Sequence, residues 1–452
     1  MSIPFQASVP AIKHRGVHLD LKGTPPNFPR LLELLELFSA LRFTAVFVEW
    51  EDAFPWSVDL SFRSATAYTE DEVRQFVAHA KHLGLELIPL VQTLGHMENF
   101  LKGDDRIALR EVPADNDALN PLAPGANELV QEIILDVLRL MPNVKHFHLG
   151  GDEAWAFGTH PQTKAYIEQH GASTLYLSHA EPLLCLLNQR NIRPILWHDM
   201  MVKWDDASLN RLAPQCDLVV WGYGGHPDHV EHHYSSRHSA RFAQLGFSLW
   251  GASAFKGADN HSGDRPNPDE RRVNAKAWVE IAQRHDFTGL ITTGWSRYCF
   301  NAPQCESIEA CLDTLLEQAI LMYDGTAPED TIERSGELLA QIWSPEQARQ
   351  FIRVRDAATE YTGTSLDVWY RVRLIETQLA TCRLDPHKRP ISMNFRQISR
   401  ELEKLEAATR AFREALAPLI PAHWLNQYFS ERNTPLLQLL KPYIPAAAVE
   451  MK

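Results

Sequence analysis

Along the first three quarters of the chain, apolar residues come in short strand-like runs. Between the runs lie longer stretches in which apolar residues recur at every third or fourth position. The runs occupy residues 16–22, 44–51, 85–93, 146–153, 193–199, 216–223, 247–255 and 288–295. Strands that alternate with helices pair in parallel, and eight such units predict an α/β fold, a (β/α)8 TIM barrel, over residues 1–325. The intervening helices carry end signals. Thr69-Glu-Asp-Glu72 reads as a capping box and Gly84 as the stop, with the third strand directly after it. Near Ala327 the alternation ends. Ser344-Pro-Glu-Gln347 reads as a helix start, and Leu366, Trp369, Tyr370, Val372 and Leu374, then Phe395, Ile398, Leu402 and Leu405, keep helical spacing. An all-α C-terminal domain is therefore predicted over residues 326–452.

Charge and cysteine content narrow the function classes. The 452 residues hold 44 Lys+Arg against 57 Asp+Glu, a formal charge of −13. With no Lys/Arg stripe, this balance argues against nucleic acid or an anionic membrane as partner, because both demand a cationic footprint. The first residues, MSIPFQASVP, lack the basic start and apolar stretch of a secretory signal, and no apolar run is long enough to span a bilayer. Six cysteines without a CxxC pair read as reduced thiols of a cytoplasmic protein.

In a parallel barrel the reactive residues come from the C-terminal strand ends, where the connecting loops form a deep concave face. Here those ends hold Asp20; Glu49, Glu51 and Asp52; Gln92 and His96; Asp152 and Glu153; Trp197, His198 and Asp199; Trp221 and Tyr223; Trp250; and Trp295. Indole walls beside carboxylates suit a sugar, whose C–H face packs on aromatic rings while its hydroxyls seek polar partners. The sharpest feature is His148-Leu-Gly-Gly-Asp-Glu153. Adjacent side chains on an extended segment point to opposite faces, so Asp152 and Glu153 must do different jobs, and the glycines before them permit unusual dihedrals.

Residues 148–153 resemble the H-x-G-G-D-E motif of glycoside hydrolase family 20, the β-N-acetylhexosaminidases. Arg15-Gly16 with Asp20 is similar to the family's R-G-x-x-x-D, Ile88-Pro89 with Gly95-His96 to its strand-three segment, and Asn120-Pro121 to its N-P before the fourth strand. The phrasing of the whole chain is most like the hexosaminidase D type. The resemblance implies substrate-assisted retaining hydrolysis, an exception to the two-carboxylate scheme, in which the sugar's own 2-acetamido oxygen attacks the anomeric carbon to form an oxazolinium ion. It casts Glu153 as the acid and base, and Asp152 as the group that holds the acetamido N–H. It further implies that Arg15, Asp20, Gln92, His96, His148, Trp197, Asp199, Trp221, Tyr223, Trp250, Trp295 and Arg297 bind substrate. Neither cofactor nor metal is required, and the partner is an oligosaccharide or glycoconjugate with a terminal β-N-acetylhexosamine.

Four positions depart from the family pattern. Gly251 follows Trp250 where a Tyr is usual, leaving Tyr223 as the substitute donor to the acetamido oxygen. Trp295-Ser-Arg297 replaces W-x-E, and Leu90 and Gln92 replace the strand-three acids. These changes fall at the end of the site that reads C4, and the expectation is a preference for N-acetylgalactosaminides. Two alternatives accompany this reading. A metal-dependent barrel hydrolase would use His146 with His148, or His18 with Asp20, which alternate onto one strand face. A sugar-binding barrel without catalysis would have no use for the Asp152–Glu153 pair. His226, His229, His232, His233 and His238 read as a solvated loop or lid segment. The helical domain is expected either to close over the barrel or to mate with a second subunit as a homodimer.

Overall fold

A computed structural model of the chain describes residues 5–229, 236–259, 263–382 and 389–440, which leaves His232 and His233 outside the described residues. In chain order the strands are β1 (His14–Asp20), β2 (Ala45–Glu49), β3 (Glu86–Leu90), β4 (Arg110–Val112), β5 (Asp115–Leu119), β6 (His146–His148), β7 (Arg193–Trp197), β8 (Asp217–Trp221), β9 (Leu249–Lys256) and β10 (Gly289–Gly294). β4 and β5 form a separate antiparallel hairpin. The other eight close into a parallel barrel, β1-β2-β3-β6-β7-β8-β9-β10 and back to β1. Each of these eight lies within or overlaps one of the apolar runs read from the sequence. The reason is burial on both faces, which makes a barrel strand continuously apolar rather than alternating.

Inside the barrel, Phe47, Ile88, Leu90, Ile195, Trp197, Val219, Trp250 and Ile291 form a core of their own, and a larger core lies between the strands and the outer helices. The second helix runs Glu70–His82 behind the expected capping box, with the Thr69 side chain accepting from the Glu72 N–H and the Glu72 side chain accepting from the Thr69 N–H. After the helix Leu312–Asp324, Gly325 takes a left-handed φ of 79° and the chain turns wholly helical, through Ser335–Ile342, Pro345–Cys382, Arg389–Leu416 and Ala422–Leu440. These helices share the outer barrel core, to which they contribute Leu339, Phe351, Val368, Phe412 and Tyr428. Polar contacts add to the join: the Asn27 N–H donates to the Leu419 carbonyl at 2.8 Å, and Arg432 and Tyr428 both reach the Asp264 carboxylate.

The barrel corrects one expectation of depth. Trp250 was expected at the end of its strand, but β9 runs on to Lys256, so Trp250 is its second residue and lies opposite Gly289 and Val219 at the N-terminal end of the barrel. There it packs on Phe47, His14 and His146 and donates its indole N–H to Asp217 at 3.3 Å. Arg15, the second residue of β1, is at the same end. Its guanidinium donates to the carbonyls of Ile12, Lys13 and Arg42 at 2.7–3.0 Å and stacks over Tyr323. Neither side chain is among those that line the cavity at the opposite mouth of the barrel.

Candidate active site

β6 stops at His148 because the backbone leaves the sheet at two glycines. Gly150 and Gly151 take φ of 61° and 82°, and a Cβ on either would lie within 1.9 Å of the Gln92 amide oxygen or 2.3 Å of the Tyr176 hydroxyl. The turn that follows puts Glu153 in the left-handed region at φ 44°, an uncommon conformation for a residue with a side chain. Neighbours hold it there. Asp199, just past β7, accepts the Glu153 N–H at 2.9 Å through one carboxylate oxygen and the Trp221 indole N–H at 3.1 Å through the other. From the β3 side the loop comes close because residue 95 is glycine, where a Cβ would meet the Asp152 carbonyl at 2.3 Å.

This turn places Asp152 and Glu153 on the wall of a cavity of about 250 Å³ at the C-terminal mouth of the barrel. Gln92, His96, Trp221, Tyr223 and Trp295 line it as well. Trp221 stacks on Tyr223 at 5.1 Å between ring centroids, and Trp295 stands 6.4 Å from Tyr223, so a cluster of aromatic rings shares the cavity wall with the carboxyls. The backbone carbonyl of Tyr223 is fixed by Arg271 at 2.9 Å. Burial holds the Tyr223 phenol well above its ordinary range, so it keeps its proton.

Four other residues expected at the site stand behind this wall. His148 is fully buried beside Trp197, with ring centroids 4.4 Å apart, and its Nδ1 accepts the Gly150 N–H at 3.0 Å. Burial lowers its pKa to about 3, so it is a neutral acceptor that fixes the glycine turn. Trp197 forms the floor beneath Trp221 and Trp295. Asp20 is occupied by the Lys22 and Ser296 N–H groups at 2.8 and 2.7 Å. Asp199 is occupied as described above, and burial, against those two hydrogen bonds, pushes its pKa up to about 6.

Arg297 is elsewhere. It donates to the Ala302 carbonyl and pairs with Glu431 at 3.3 Å, joining the loop after β10 to the helix Ala422–Leu440, and so corrects its expected place among the substrate contacts.

The sequence reading missed Lys22, Glu98, Gly257, Ala258, Tyr298, Cys299 and Phe300, all on the cavity wall. Lys22 is the most consequential. Buried over the Trp295 ring, it lies 2.6 Å from Glu49 and 3.4 Å from Asp20. Burial opposes its charge, but the carboxylates of Asp20, Glu49 and Glu51 outweigh this and raise its pKa. A signal was present: Lys22 follows Asp20 by two residues at the end of the first apolar run, the spacing that shares a strand face.

His96, itself in the left-handed region at φ 55°, aims Nε2 at Glu153 (3.4 Å) and Asp152 (3.7 Å). Burial opposes its charge, but the neighbouring carboxyls of Asp152, Glu153 and Glu98 push its pKa up to about 10 and make it a cation. The Asp152 pKa is raised by burial and by the charges of Asp199 and Glu153, against the pull of His96. One oxygen of Asp152, Oδ1, is buried without a hydrogen-bond partner among the described residues. His96, Glu98 and Asp117 bring ligand atoms within 4.8 Å of one another and are the described residues whose arrangement could hold a metal ion. The histidines weighed as ligands from the sequence are bound otherwise: His146 Nδ1 lies 2.6 Å from Glu86, and His18 Nε2 lies 3.2 Å from Glu49. No described helix is long and apolar enough to cross a membrane.

Comparison with known proteins agrees with this architecture. Residues 13–296 match the catalytic domain of glycosyl hydrolase family 20. Hexosaminidase D of Bos taurus is 34% identical over 320 residues, covering 67% of this chain and 92% of the relative. Hexosaminidase D of Homo sapiens is 32% identical over 376 residues, 81% of this chain and 74% of the relative. Among solved structures, a Flavobacterium johnsoniae chitobiase superposes with a TM-score of 0.57 at 14% identity, covering 98% of this chain and 74% of that one. A β-N-acetylhexosaminidase from Bacteroides fragilis gives 0.53 at 16% identity over 75% of this chain and 72% of its own. At such identities these two speak for the fold, while the family match and the hexosaminidase D relatives carry the assignment: the chain belongs to glycosyl hydrolase family 20 and is of the hexosaminidase D type.

Proposed function

We propose that the protein is an exo-acting β-N-acetylhexosaminidase that releases terminal β-linked N-acetylhexosamine with retention, by substrate-assisted catalysis. The observation that carries this reading is the Asp152–Glu153 pair on one aromatic-walled cavity, with Asp152 Oδ1 buried and without a hydrogen-bond partner among the described residues. A buried acceptor without a donor suits a ligand N–H. In the proposed reaction the 2-acetamido N–H donates to Asp152, which orients the acetamido carbonyl oxygen toward C1. That oxygen forms a bond to C1 as the glycosidic C–O bond breaks, and Glu153 gives its proton to the leaving oxygen. Asp152 offsets the positive charge that develops on the oxazolinium ring. Water then attacks C1 as the bond between C1 and the acetamido oxygen breaks, which regenerates the 2-acetamido group, and the water gives its proton to Glu153, which restores the starting state. His96 orients both carboxyls, and the protonated Tyr223 phenol is the candidate donor to the acetamido oxygen.

Exo action is supported by a cavity of about 250 Å³, the size of one sugar unit. A preference for N-acetylgalactosaminides is supported by the altered far end of the site. Gln92 lines the cavity where an acid is usual, Leu90 is in the barrel core, and Arg297 turns away to Glu431. A cytoplasmic location belongs to the same reading and is supported by free thiols at Cys185, Cys216, Cys299, Cys305 and Cys311. The test compares p-nitrophenyl β-N-acetylgalactosaminide and β-N-acetylglucosaminide with the corresponding galactoside and glucoside, with a thiazoline inhibitor as control. The acetamido sugars should react at least ~10³-fold faster, because the internal nucleophile is held in place, with the galactosaminide ahead. Equal rates for glycosides that lack the amide would overturn the mechanism.

A further inference from the structure

A second cavity, of about 300 Å³, opens beside the first, between the loop after β10 and the helix Pro345–Cys382. Tyr298 lines both cavities, and the loop divides between them: Cys299 and Phe300 face the first, Pro303 to Glu306 the second. The helix contributes Leu366 and Trp369, three residues apart on one face and 61% and 43% exposed, while Tyr298 is 42% exposed. Large apolar side chains left open to water beside a catalytic cavity point to a binding surface. A polar observation accompanies them. Gln304 lines the second cavity, is only 5% exposed, and neither atom of its side-chain amide has a hydrogen-bond partner among the described residues. A buried amide with both its donor and its acceptor unmet suits a ligand that offers both, as a hydroxyl does.

The cavity is held in shape from the helical side. Arg432 donates to the carbonyls of Gln304 and Cys305 at 3.1 Å each, and the Gln304 N–H donates to Glu431 at 2.9 Å. The loop that separates the cavities is thus clamped to the C-terminal helices before any ligand arrives, which lowers the cost of ordering it on binding.

We propose that this second cavity is an aglycone site that takes the sugar units next to the terminal N-acetylhexosamine, so that the helical domain selects oligosaccharides over simple glycosides. This rests on the reaction proposed above. A carbohydrate is favoured over a second copy of the chain because the site is concave, continuous with the sugar cavity through Tyr298, and combines ring faces with an unmet amide. A flat apolar partner would leave that amide unpaired.

The test uses the full-length protein and the ratio of kcat/KM on a linear trisaccharide ending in β-N-acetylhexosamine to that on the p-nitrophenyl glycoside. Trp369→Ala should lower this ratio about tenfold, through KM, as expected for loss of one aromatic platform, and Trp369→Phe should restore most of it. An unchanged ratio, or equal losses on both substrates, overturns the aglycone site. Sedimentation of both proteins addresses the other occupant: a wild-type dimer that Trp369→Ala converts to monomer assigns the face to a second copy and also overturns it. Calorimetric titration of the trisaccharide into Glu153→Gln, with and without Trp369→Ala, reads the site without turnover. A tenfold affinity loss there, in a chain whose wild type cleaves neither substrate, keeps the site and rejects the reaction.

Discussion

The two ends of the barrel are built from the same residue types and differ in how their polar atoms are satisfied. At the N-terminal end, Arg15 is bound by three carbonyls, His146 by Glu86, and Trp250 by Asp217 within a cage of aromatic rings. At the C-terminal mouth, Asp152 Oδ1, Gln92 Oε1 and the indole N–H of Trp197 have no partner among the described residues. Backbone strain does not divide the two ends, since Glu51, His96 and Glu153 hold left-handed dihedrals at the mouth and Arg42, Asn191 and Asp286 hold them at the opposite end. Arg, Trp, His and carboxylate therefore do not by themselves mark a site. What distinguishes the mouth is hydrogen-bonding capacity left open on the wall of a cavity, where a ligand can return the stability that leaving it unmet costs.

The largest effect should come from the mouth. Glu153→Gln is expected to lower kcat on a p-nitrophenyl N-acetylhexosaminide by ~10³-fold or more with an unchanged circular dichroism spectrum, because the amide can neither give nor take the proton. Asp152→Asn should cost ~10²-fold without rescue by azide, since the carboxylate it removes is no nucleophile. Turnover undiminished in Glu153→Gln would contradict the division of roles.

The opposite end should answer in stability. Trp250→Ala removes a buried indole and its hydrogen bond, and is expected to lower unfolding free energy by ~3–5 kcal/mol in denaturant titrations. Arg15→Ala should cost ~1–3 kcal/mol by stranding the carbonyls it serves. In both variants KM of the folded fraction should be unaltered, and a raised KM for Arg15→Ala would break the contrast between the two ends.

A pH-dependent effect follows from the buried neutral histidines. Burial lowers the pKa of His148 to about 3 and that of His179 to about 4, from 6.5 in the unfolded chain. Below pH 6.5 the unfolded state binds these protons and the folded state does not, so stability should fall as pH drops from about 6.5 to 4. The slope is roughly 1.4 kcal/mol per pH unit for each histidine. His179 bonds to the Thr93 carbonyl at 2.9 Å, a contact that Gln can imitate, so His179→Gln should make the loss of melting temperature with acid shallower. An unchanged acid slope would show that these two groups do not control it.

Much of this architecture was legible along the chain. Eight apolar runs became eight barrel strands because burial on both faces leaves its pattern in every strand, and the capping box at Thr69 formed because its bonds are local. The adjacent acids after His148 were equally plain, since the turn that presents them is written in consecutive residues. Depth was not legible. Trp250 and Trp295 look alike in an apolar run, and which one reaches the mouth depends on where each strand starts in the closed barrel. The partners of Arg15, Arg297 and Lys22 lie on other strands, loops and helices.

Periodicity and local motifs, which act between near neighbours, thus specify the elements, their order and the turn that carries Asp152 and Glu153. Strand register, the burial of Lys22 between Asp20 and Glu49, and the clamp of Arg432 and Glu431 on the loop after β10 join residues up to some hundreds of positions apart. Such contacts exist only once the barrel closes and the helices pack, because the energies that choose them come from burial and pairing across the fold rather than from any stretch of chain.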